Sequence, residues 1–300
     1  MSKKHGKGRR NNQGQPPPGF KDPRPVALID VVMPIYGEWR LAERALDFLP
    51  AAMAGIPEGY RVIVVDNGTP AWADQTGRTI QPNEQAIAVK ERLRPQDAFF
   101  RLDENHGYPG ALNRAVAKGR SPLILILTAD VFLNPNSVSP MVMELDNPQV
   151  GVVGPKLLFP EGSPHGPAEC IQHAGIGFDI EGKPFHCFIG WRGDNPRANK
   201  REEVAAVTGA CFMTRRSLWE GVKGFYEGYG AGTFEDIDYC FAVRQGGAKV
   251  IYQPLSVGYH FVGGSIVQGA GSRGFNLGLN GTIFNGRWSH MMAWDEWRRV

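Results

Sequence analysis

The sequence predicts an α/β protein with a mostly parallel sheet that is covered by helices. From Val26 onward, short apolar runs alternate with amphipathic stretches in the order strand, helix, strand, helix and strand. The run Leu123–Leu127 has no polar interruption, as in strands that are buried on both faces. This alternation is typical of units in which a helix joins two parallel strands.

Each element is predicted from its own residues. Buried strands are predicted where apolar residues are concentrated in short runs, and helices where apolar residues recur at intervals of three and four. The strands are Val26–Met33, Arg61–Val65, Phe99–Leu102, Leu123–Leu127 and Lys249–Tyr252, and the helices are Glu38–Ala54, Pro109–Gly119, Arg215–Glu220, Glu235–Gln245 and Leu277–Trp288. Residues 160–203 are rich in glycine, proline and histidine and are expected to be a long irregular region.

The charge of the chain is distributed unevenly. Residues 1–25 hold seven basic residues and one acidic residue, whereas the rest of the chain holds 26 basic and 29 acidic residues. These first 25 residues have almost no apolar side chains, so we expect a disordered basic tail. The body is not a basic nucleic-acid-binding surface, but the tail is a candidate contact for a polyanion, either nucleic acid or an anionic membrane.

Apolar length and cysteine spacing indicate the compartment. The longest apolar runs are too short to cross a bilayer, and no apolar segment of a secretory signal follows the basic N-terminus. The four cysteines lie far apart without a CxxC pair, as in a reduced protein with free thiols. We therefore expect a cytoplasmic protein, with peripheral attachment to a membrane left open.

Three loops follow predicted strands, at the edge where open parallel sheets bind their ligands. They are Pro34-Ile35-Tyr36, Asp66-Asn67-Gly68 and Thr128-Ala129-Asp130. Asp66 could accept hydrogen bonds from a base or a ribose, or it could close its strand in an Asx turn. Asp130 could cap a helix or bind the cation of a diphosphate. No glycine-rich phosphate loop follows the first strand, so a metal ion is the natural counter-charge for a diphosphate.

Two further groups of residues carry possible chemistry. Glu235, Asp236 and Asp238 begin a predicted helix, where they could stabilise the helix dipole or supply a general base. The adjacent loop Gly224–Gly232 is rich in glycine and is a candidate mobile lid. A separate group could tolerate zinc but lacks the tight spacing of usual zinc sites; it consists of Cys170, His173, His186 and Cys187.

Taken together, these segments resemble the family 2 glycosyltransferases, especially their rhamnosyltransferase-like bacterial branch, which have the GT-A fold. VVMPIYGE resembles the opening strand and turn of the family, VIVVDNGTP resembles its nucleotide-contacting segment, and ENHGYPGALNRAVAKG resembles its donor-pocket stretch. With the strand-end loops, the resemblance implies donor contacts at Pro34, Tyr36, Asp66, Asn67, Asn105, Gly107, Asn113 and Thr128.

The most specific resemblance lies in GTFEDIDYCFAVRQGGAKVIYQPLSVGYHFVGGS. It implies that Asp236 is the catalytic base, that Glu235 is its neighbour at the acceptor site and that His260 is a metal ligand. LILILTADVFLNP falls where the family has a DxD-like motif, and Asp130 matches its metal-binding aspartate. Thr128 and Ala129 depart from that motif. Asn280, Phe284 and Arg287-Trp288 echo a C-terminal helix of the family.

The resemblance implies an inverting enzyme that uses Mn²⁺ or Mg²⁺ to move a sugar from a nucleotide-diphosphate donor to a hydroxyl of a glycan, a lipid-linked glycan or another polymer. If no metal were used, Lys156 or Arg273 would be candidate counter-charges. A transferase acting on hydroxylated bases of DNA and a non-catalytic nucleotide-sugar-binding protein remain alternatives. A nucleotidyltransferase is disfavoured because Pro34-Ile35-Tyr36-Gly37-Glu38 replaces the glycine- and arginine-rich loop of those enzymes.

The predicted organisation has three parts. A tail over residues 1–25 precedes a GT-A domain over 26–265, and a helical extension follows over 266–300. Within the domain, 26–135 is the predicted nucleotide-sugar half and 136–265 the predicted acceptor half.

Overall fold

The computed structural model describes residues 27–57, 59–73, 76–262 and 275–292, so the predicted basic tail lies outside the described residues. The helices are α1 (Trp39–Ala52), α2 (Pro82–Glu91), α3 (Gly107–Val116), α4 (Ser139–Leu145), α5 (Arg216–Val222), α6 (Glu235–Gln245) and α7 (Leu277–Trp288), with 3-10 turns at Glu227–Tyr229 and Ser289–Met291. The strands are β1 (Ile29–Ile35), β2 (Tyr60–Asp66), β3 (Trp72–Ala73), β4 (Thr79–Ile80), β5 (Ala98–Arg101), β6 (Leu123–Leu127), β7 (Val131–Leu133), β8 (Val150–Leu158), β9 (Ile171–His173), β10 (Ile176–Phe178), β11 (Pro184–His186), β12 (Glu202–Glu203), β13 (Cys211–Arg215) and β14 (Lys249–His260). None of the helices described has the length and apolar character needed to span a bilayer.

One large sheet runs through the described part of the chain in the order β12-β14-β8-β13-β6-β1-β2-β5, with β7 added to β14 and β9 to β8. Strands β6, β1, β2 and β5 are parallel, as the sequence predicts. The other half is mixed, because β13 runs antiparallel to both β6 and β8. The prediction of a mostly parallel sheet is corrected here. The chain between β8 and β13 returns through short strands and loops without a crossover helix, which antiparallel pairing permits.

The two faces of the parallel strands bury alternate side chains. Val32 of β1 packs in a cluster with Leu112 of α3, whereas Val31 packs on the opposite face with Leu46 of α1. All seven residues of β1 are buried. Because each face is covered by a helix, the strand is apolar apart from the buried Asp30 near its start.

Several elements have no counterpart among the sequence predictions. These include α2, α4, β3, β4, β7 and β8, together with the short strands β9 to β12 inside the region expected to be irregular. Strand β8 is nine residues long and buried throughout. A Cβ at Gly154 would lie 2.6 Å from the Val207 side chain, so this glycine is required by packing within a strand.

Candidate active site

The carboxyl ends of β1, β2 and β6 open onto a cavity of about 470 Å³. Nine of the predicted site residues line it, namely Pro34, Tyr36, Asn67, Asn105, Thr128, Asp130, Glu235, Asp236 and His260. The fold thus brings three strand-end loops together with the start of α6 and the end of β14. This is the edge at which an open parallel sheet binds ligands.

Asp130 and His260 meet because β7 pairs antiparallel with the end of β14, with Val131 opposite His260. His260 Nε2 lies 3.6 Å from Asp130 Oδ2, and His260 Nδ1 lies 3.1 Å from the Oε1 atom of buried Gln172. An amide oxygen only accepts hydrogen bonds, so His260 Nδ1 is the donor. In the neutral ring, Nε2 then directs its lone pair toward Asp130, the arrangement that orients metal-binding histidines.

The carboxylate of Asp130 is held in its ionised form. Burial raises the pKa of Asp130, but it is brought below its ordinary value by His260 in the protonated form of that ring, through its charge and the hydrogen bond it then donates, and by a hydrogen bond from Thr128. An ionised carboxylate beside an imidazole is a suitable donor pair for Mn²⁺ or Mg²⁺.

The charges of the cavity favour a cation. Among the described residues that line it, four are carboxylic acids and none is lysine or arginine. Lys156 instead donates to the Gly193 carbonyl at 3.0 Å and to Asn199 Oδ1 at 2.6 Å and does not line the cavity, while Arg273 lies outside the described residues. A diphosphate here would face carboxylates, with no lysine or arginine among the described lining residues to offset its charge, so Asp130 and His260 fit a bound ion.

Two protein ligands suit an ion that is shared with a substrate. No group of three or more histidine, cysteine, aspartate or glutamate side chains suited to a metal occurs in the part of the chain described. Magnesium commonly binds through one or two carboxylates and completes its shell with substrate phosphates and water. The donor set therefore fits a diphosphate-bound ion and not a closed structural site.

Glu235 and Asp236 begin α6 and face the cavity. Asp236 Oδ2 accepts the Gly209 N–H at 2.6 Å, and Asp236 Oδ1 accepts the Ile237 N–H at 2.8 Å. Glu235 is 5% exposed, and its Oε2 atom has no hydrogen-bond partner. Burial raises the pKa of Asp236, and burial together with the charge of Asp236 raises that of Glu235 well above its ordinary value. Two carboxyl groups of raised pKa in a cavity are suited to moving a proton.

The backbone that delivers these carboxylates is strained. Gly232, Thr233 and Phe234 have φ values of 141°, 78° and 71°, and the latter two are conformations that non-glycine residues rarely adopt. Asn280 of α7 holds this turn by donating its Nδ2 protons to the carbonyls of Gly232 (2.8 Å) and Tyr229 (3.1 Å). Such strain persists only where the surroundings fix it, and it concentrates at functional sites.

The loop Gly224–Gly232 is anchored instead of being a free lid. The Tyr108 N–H donates to the Ala231 carbonyl at 2.9 Å, and Asn113 Nδ2 donates to the Phe225 carbonyl at 2.9 Å. Gly107 has φ 70°, and a Cβ there would lie 1.9 Å from the Gly230 carbonyl oxygen. Gly107 and Asn113 thus contact this loop and do not line the cavity.

Asp66 also lies off the cavity wall. Its carboxylate accepts the Thr69 N–H at 2.9 Å and forms an ion pair with Arg101, which stands opposite it on β5. Asn67, the next residue, does line the cavity. The expected contact of Asp66 with a nucleotide base therefore stays a prediction, in which Arg101 would share the carboxylate.

Other lining residues were not predicted to belong to this site, among them Glu38, Tyr108 and Thr208, and His186 was considered only for zinc. Tyr108 OH donates to the Gly209 carbonyl at 2.7 Å, and burial with the charges of Glu235 and Asp236 raises the pKa of Tyr108 well above its ordinary value. Glu38 and Tyr108 stand inside motifs that the sequence singles out, beside Tyr36 and Gly107, so proximity to those motifs was a usable signal.

The group considered for zinc is organised differently. His173 Nδ1 and His186 Nδ1 lie 2.8 Å apart in a direct hydrogen bond, which leaves no room for an ion between them. Cys187 is buried and Cys170 is partly buried. The two histidines are therefore a hydrogen-bonded pair and not zinc ligands.

Similarity to known proteins agrees with this geometry. The sequence model of glycosyl transferase family 2 matches residues 30–222. The chain is 28% identical over 244 residues to an uncharacterized protein of Sinorhizobium fredii, covering 78% of this chain and 24% of that protein. It is 32% identical over 152 residues to the O-antigen biosynthesis protein RfbC of Myxococcus xanthus, covering 48% and 11%. The chain thus spans about a quarter or less of these relatives' own lengths.

Solved structures share the fold. The structure of GalNAc-T7 with UDP, GalNAc and Mn²⁺ aligns with a TM-score of 0.57 at 14% identity, covering 78% of this chain and 43% of that one. The mannosyltransferase PcManGT of Pyrobaculum calidifontis, with GDP-Man and Mn²⁺, aligns with a TM-score of 0.54 at 20% identity, covering 88% and 63%. The GT-A fold expected from the sequence is confirmed. Since the family match spans well over half of the chain, the protein belongs to glycosyl transferase family 2.

Proposed function

We propose that the protein is an inverting, metal-dependent glycosyltransferase that moves a sugar from a nucleotide-diphosphate donor to an acceptor hydroxyl. The observation that carries this proposal is the cavity at the strand ends, where Glu235 and Asp236 face the pair Asp130 and His260 without a lysine or arginine among the described lining residues. Such a cavity offers a base for an acceptor and a cation site for a leaving diphosphate.

Asp236 is the base in this proposal. Two backbone N–H groups fix its carboxylate, and burial raises its pKa, which brings it closer to the range in which a base works efficiently. As the acceptor oxygen bonds to the anomeric carbon, its proton passes to Asp236, and the bond from that carbon to the diphosphate oxygen breaks. One displacement inverts the anomeric carbon, and a single base suffices because no covalent glycosyl-enzyme forms.

Glu235 completes the acceptor side. Its buried, unpartnered Oε2 atom can pair with an acceptor hydroxyl, which would satisfy a polar group that is costly to leave alone. Asp130 and His260 would hold Mn²⁺ or Mg²⁺ on the donor side. When bound, the ion offsets the charge that the diphosphate gains as it leaves.

A glycan or a lipid-linked glycan is the acceptor class that we favour over a hydroxylated DNA base. One relative is named for O-antigen biosynthesis, and the dodecaprenyl-phosphate galacturonate synthase of Rhizobium johnstonii is 24% identical over 139 residues, covering 46% of this chain and 38% of that protein. We also propose that the reaction takes place at the cytoplasmic surface of a membrane, which the basic tail contacts.

The test begins with donor binding. A thermal-shift screen of nucleotide-diphosphate sugars, with and without Mn²⁺, should find a donor that stabilises the protein only when the metal is present. Asp130→Ala should weaken that binding about tenfold or more, because the metal loses its carboxylate. The matched control is Asp146→Ala, an exposed residue that does not line the cavity.

Transfer is then measured with the donor that binds best, on a panel of glycans and lipid-linked glycans, with and without EDTA. The proposal expects chelation to stop transfer and expects the product to have the inverted anomeric configuration. Full transfer in excess EDTA would refute metal dependence, and a product of retained configuration would refute the single displacement.

A further inference from the structure

His173 and His186 form a hydrogen-bonded pair in which His186 lines the cavity. His173 is fully buried at the end of β9, and its Nε2 atom accepts the backbone N–H groups of Gly175 and Thr208, each at 3.3 Å. A ring nitrogen that accepts hydrogen bonds carries no proton, and a neutral imidazole has one N–H. The proton of His173 therefore lies on Nδ1.

The tautomer of His186 follows from that of His173. His173 Nδ1 lies 2.8 Å from His186 Nδ1, so the first donates and the second accepts. The single proton of a neutral His186 must then lie on Nε2. Burial, followed by the charge of His260, lowers the pKa of His186 to about 4, so the ring is neutral near pH 7. No hydrogen bond within the described residues reaches its Nε2 atom, and His186 lines the cavity.

The pair is tied to the proposed base through adjacent residues. The Thr208 N–H donates to His173, and the next N–H, from Gly209, donates to Asp236 at 2.6 Å. One short segment therefore positions both the histidine pair and the carboxylate expected to receive the acceptor proton. The donor-side residues Asn67 and Thr128 come from strand ends in the other half of the sheet.

The wall around His186 is mainly apolar. Strands β10 and β11 form a small hairpin, and Ile176, Pro184 and Phe185 of that hairpin also line the cavity. An apolar surface with one uncharged N–H donor suits a sugar ring, which has an apolar face of C–H groups and hydroxyl oxygens at its edge. It does not suit an anionic group, because the described lining residues nearby add carboxylates and no lysine or arginine.

We propose that the β10–β11 hairpin is the acceptor-binding wall and that His186 selects a neutral glycoside by donating its Nε2 proton to a hydroxyl oxygen of the acceptor. This inference rests on the proposed glycosyl transfer. The buried partner His173 keeps the proton on Nε2 of His186 and so presents a donor without a positive charge.

The tautomers are tested directly by NMR on the full-length protein with ¹⁵N-labelled histidine. Long-range ¹H–¹⁵N spectra from pH 6 to pH 8 should show His186 neutral with its proton on Nε2, and His173 neutral with its proton on Nδ1. The signals of His186 among the seven histidines are identified by their loss in His186→Phe, and His165→Phe at an exposed position is the control. A His186 that carries its proton on Nδ1, or that titrates within this pH range, would overturn the inference.

The acceptor role is tested by kinetics with the donor from the thermal-shift screen and with methyl glycosides of common hexoses and deoxyhexoses as acceptors. His186→Phe should raise the acceptor KM about tenfold, as expected when a buried hydroxyl loses its partner, with the donor KM changed less than about twofold. His186→Gln should recover part of this loss because its amide also donates, and His165→Phe should behave as wild type.

The two proposals fail in different ways. If no nucleotide sugar binds and none is transferred, the proposed function fails. If transfer proceeds but His186→Phe leaves the acceptor KM unchanged or raises the donor KM instead, the acceptor assignment of His186 fails while the proposed function stands.

Discussion

Helix α6 carries three carboxylates within its first four residues, and these differ in their hydrogen-bond partners. Asp238 is 3% exposed and accepts hydrogen bonds from Tyr229 OH (2.8 Å), Arg287 Nε (2.6 Å) and Trp288 Nε1 (2.7 Å). Asp236 accepts only backbone N–H groups, and the Oε2 atom of Glu235 has no partner. The Asp238 carboxylate thus has its hydrogen-bond partners within the protein, whereas those of Glu235 and Asp236 can still accept hydrogen bonds from a ligand.

The comparison shows how hydrogen bonding separates a structural carboxylate from a functional one. A buried polar group normally finds its partners within the protein, so a buried carboxylate oxygen without one requires an explanation. Asp238 joins α6 to α7, and Glu235 and Asp236 face the cavity. We therefore expect substitutions two residues apart to affect different properties.

The largest effect is expected on turnover. Asp236→Asn should reduce transfer by about 10²–10⁴-fold, the usual cost of losing a general base, with donor binding within a few-fold of wild type. Wild-type kcat/KM should fall on the acid side at a pH above the ordinary aspartate pKa, because burial raises the pKa of Asp236. Steady-state kinetics and donor titration measure both quantities.

Asp238→Asn on the same helix is the control for that experiment. It should leave the chemistry of the cavity intact in the folded fraction while lowering the melting temperature. If Asp236→Asn retained most of its transfer activity, the base would have to be sought at Glu235.

The pattern of residues within single segments predicts several of the strands and helices that position the site. The bounds of β6, α6 and α7 agree with the predictions. Strand β6 is an uninterrupted apolar run, and α6 opens with acidic residues, which the start of a helix favours. The placement of Asp130 at a strand end also followed from sequence, because β6 is recognisable and ligands collect at such ends.

The contacts that the sequence did not predict depend on strand pairing between residues far apart in the chain. Arg101 occupies the Asp66 carboxylate because register places the two opposite each other on β2 and β5, 35 residues apart. His186 reaches the cavity through the β10–β11 hairpin, whose three-residue strands show no periodicity. Register of this kind is set by tertiary packing and leaves little local signal.

An intermediate effect is expected on stability. Asp238→Ala should lower the free energy of unfolding by about 2–3 kcal/mol, because it leaves Tyr229, Arg287 and Trp288 without their shared acceptor. The loss stays below the roughly 3–5 kcal/mol of a fully buried pair since the Arg287 side chain is 38% exposed and regains water. Denaturant unfolding measures it, with Asp146→Ala as the control. An unchanged midpoint would contradict the anchoring role of Asp238.

The smallest effect is expected at Glu235, where a substitution should raise the stability of the protein instead of lowering it. Burial, followed by the charge of Asp236, raises the pKa of Glu235 in the folded protein, so the unfolded chain loses this proton at lower pH. Stability is therefore lost as pH rises from the ordinary value of 4.5 through the raised one. Glu235→Gln is neutral throughout, so it should raise stability by on the order of 1 kcal/mol at pH 8 and by less at pH 5, while transfer falls. Melting temperatures across this range measure the gain, and Glu161→Gln at an exposed position should show none. A gain independent of pH, or a loss of stability at pH 8, would mean that Glu235 is a satisfied structural carboxylate like Asp238.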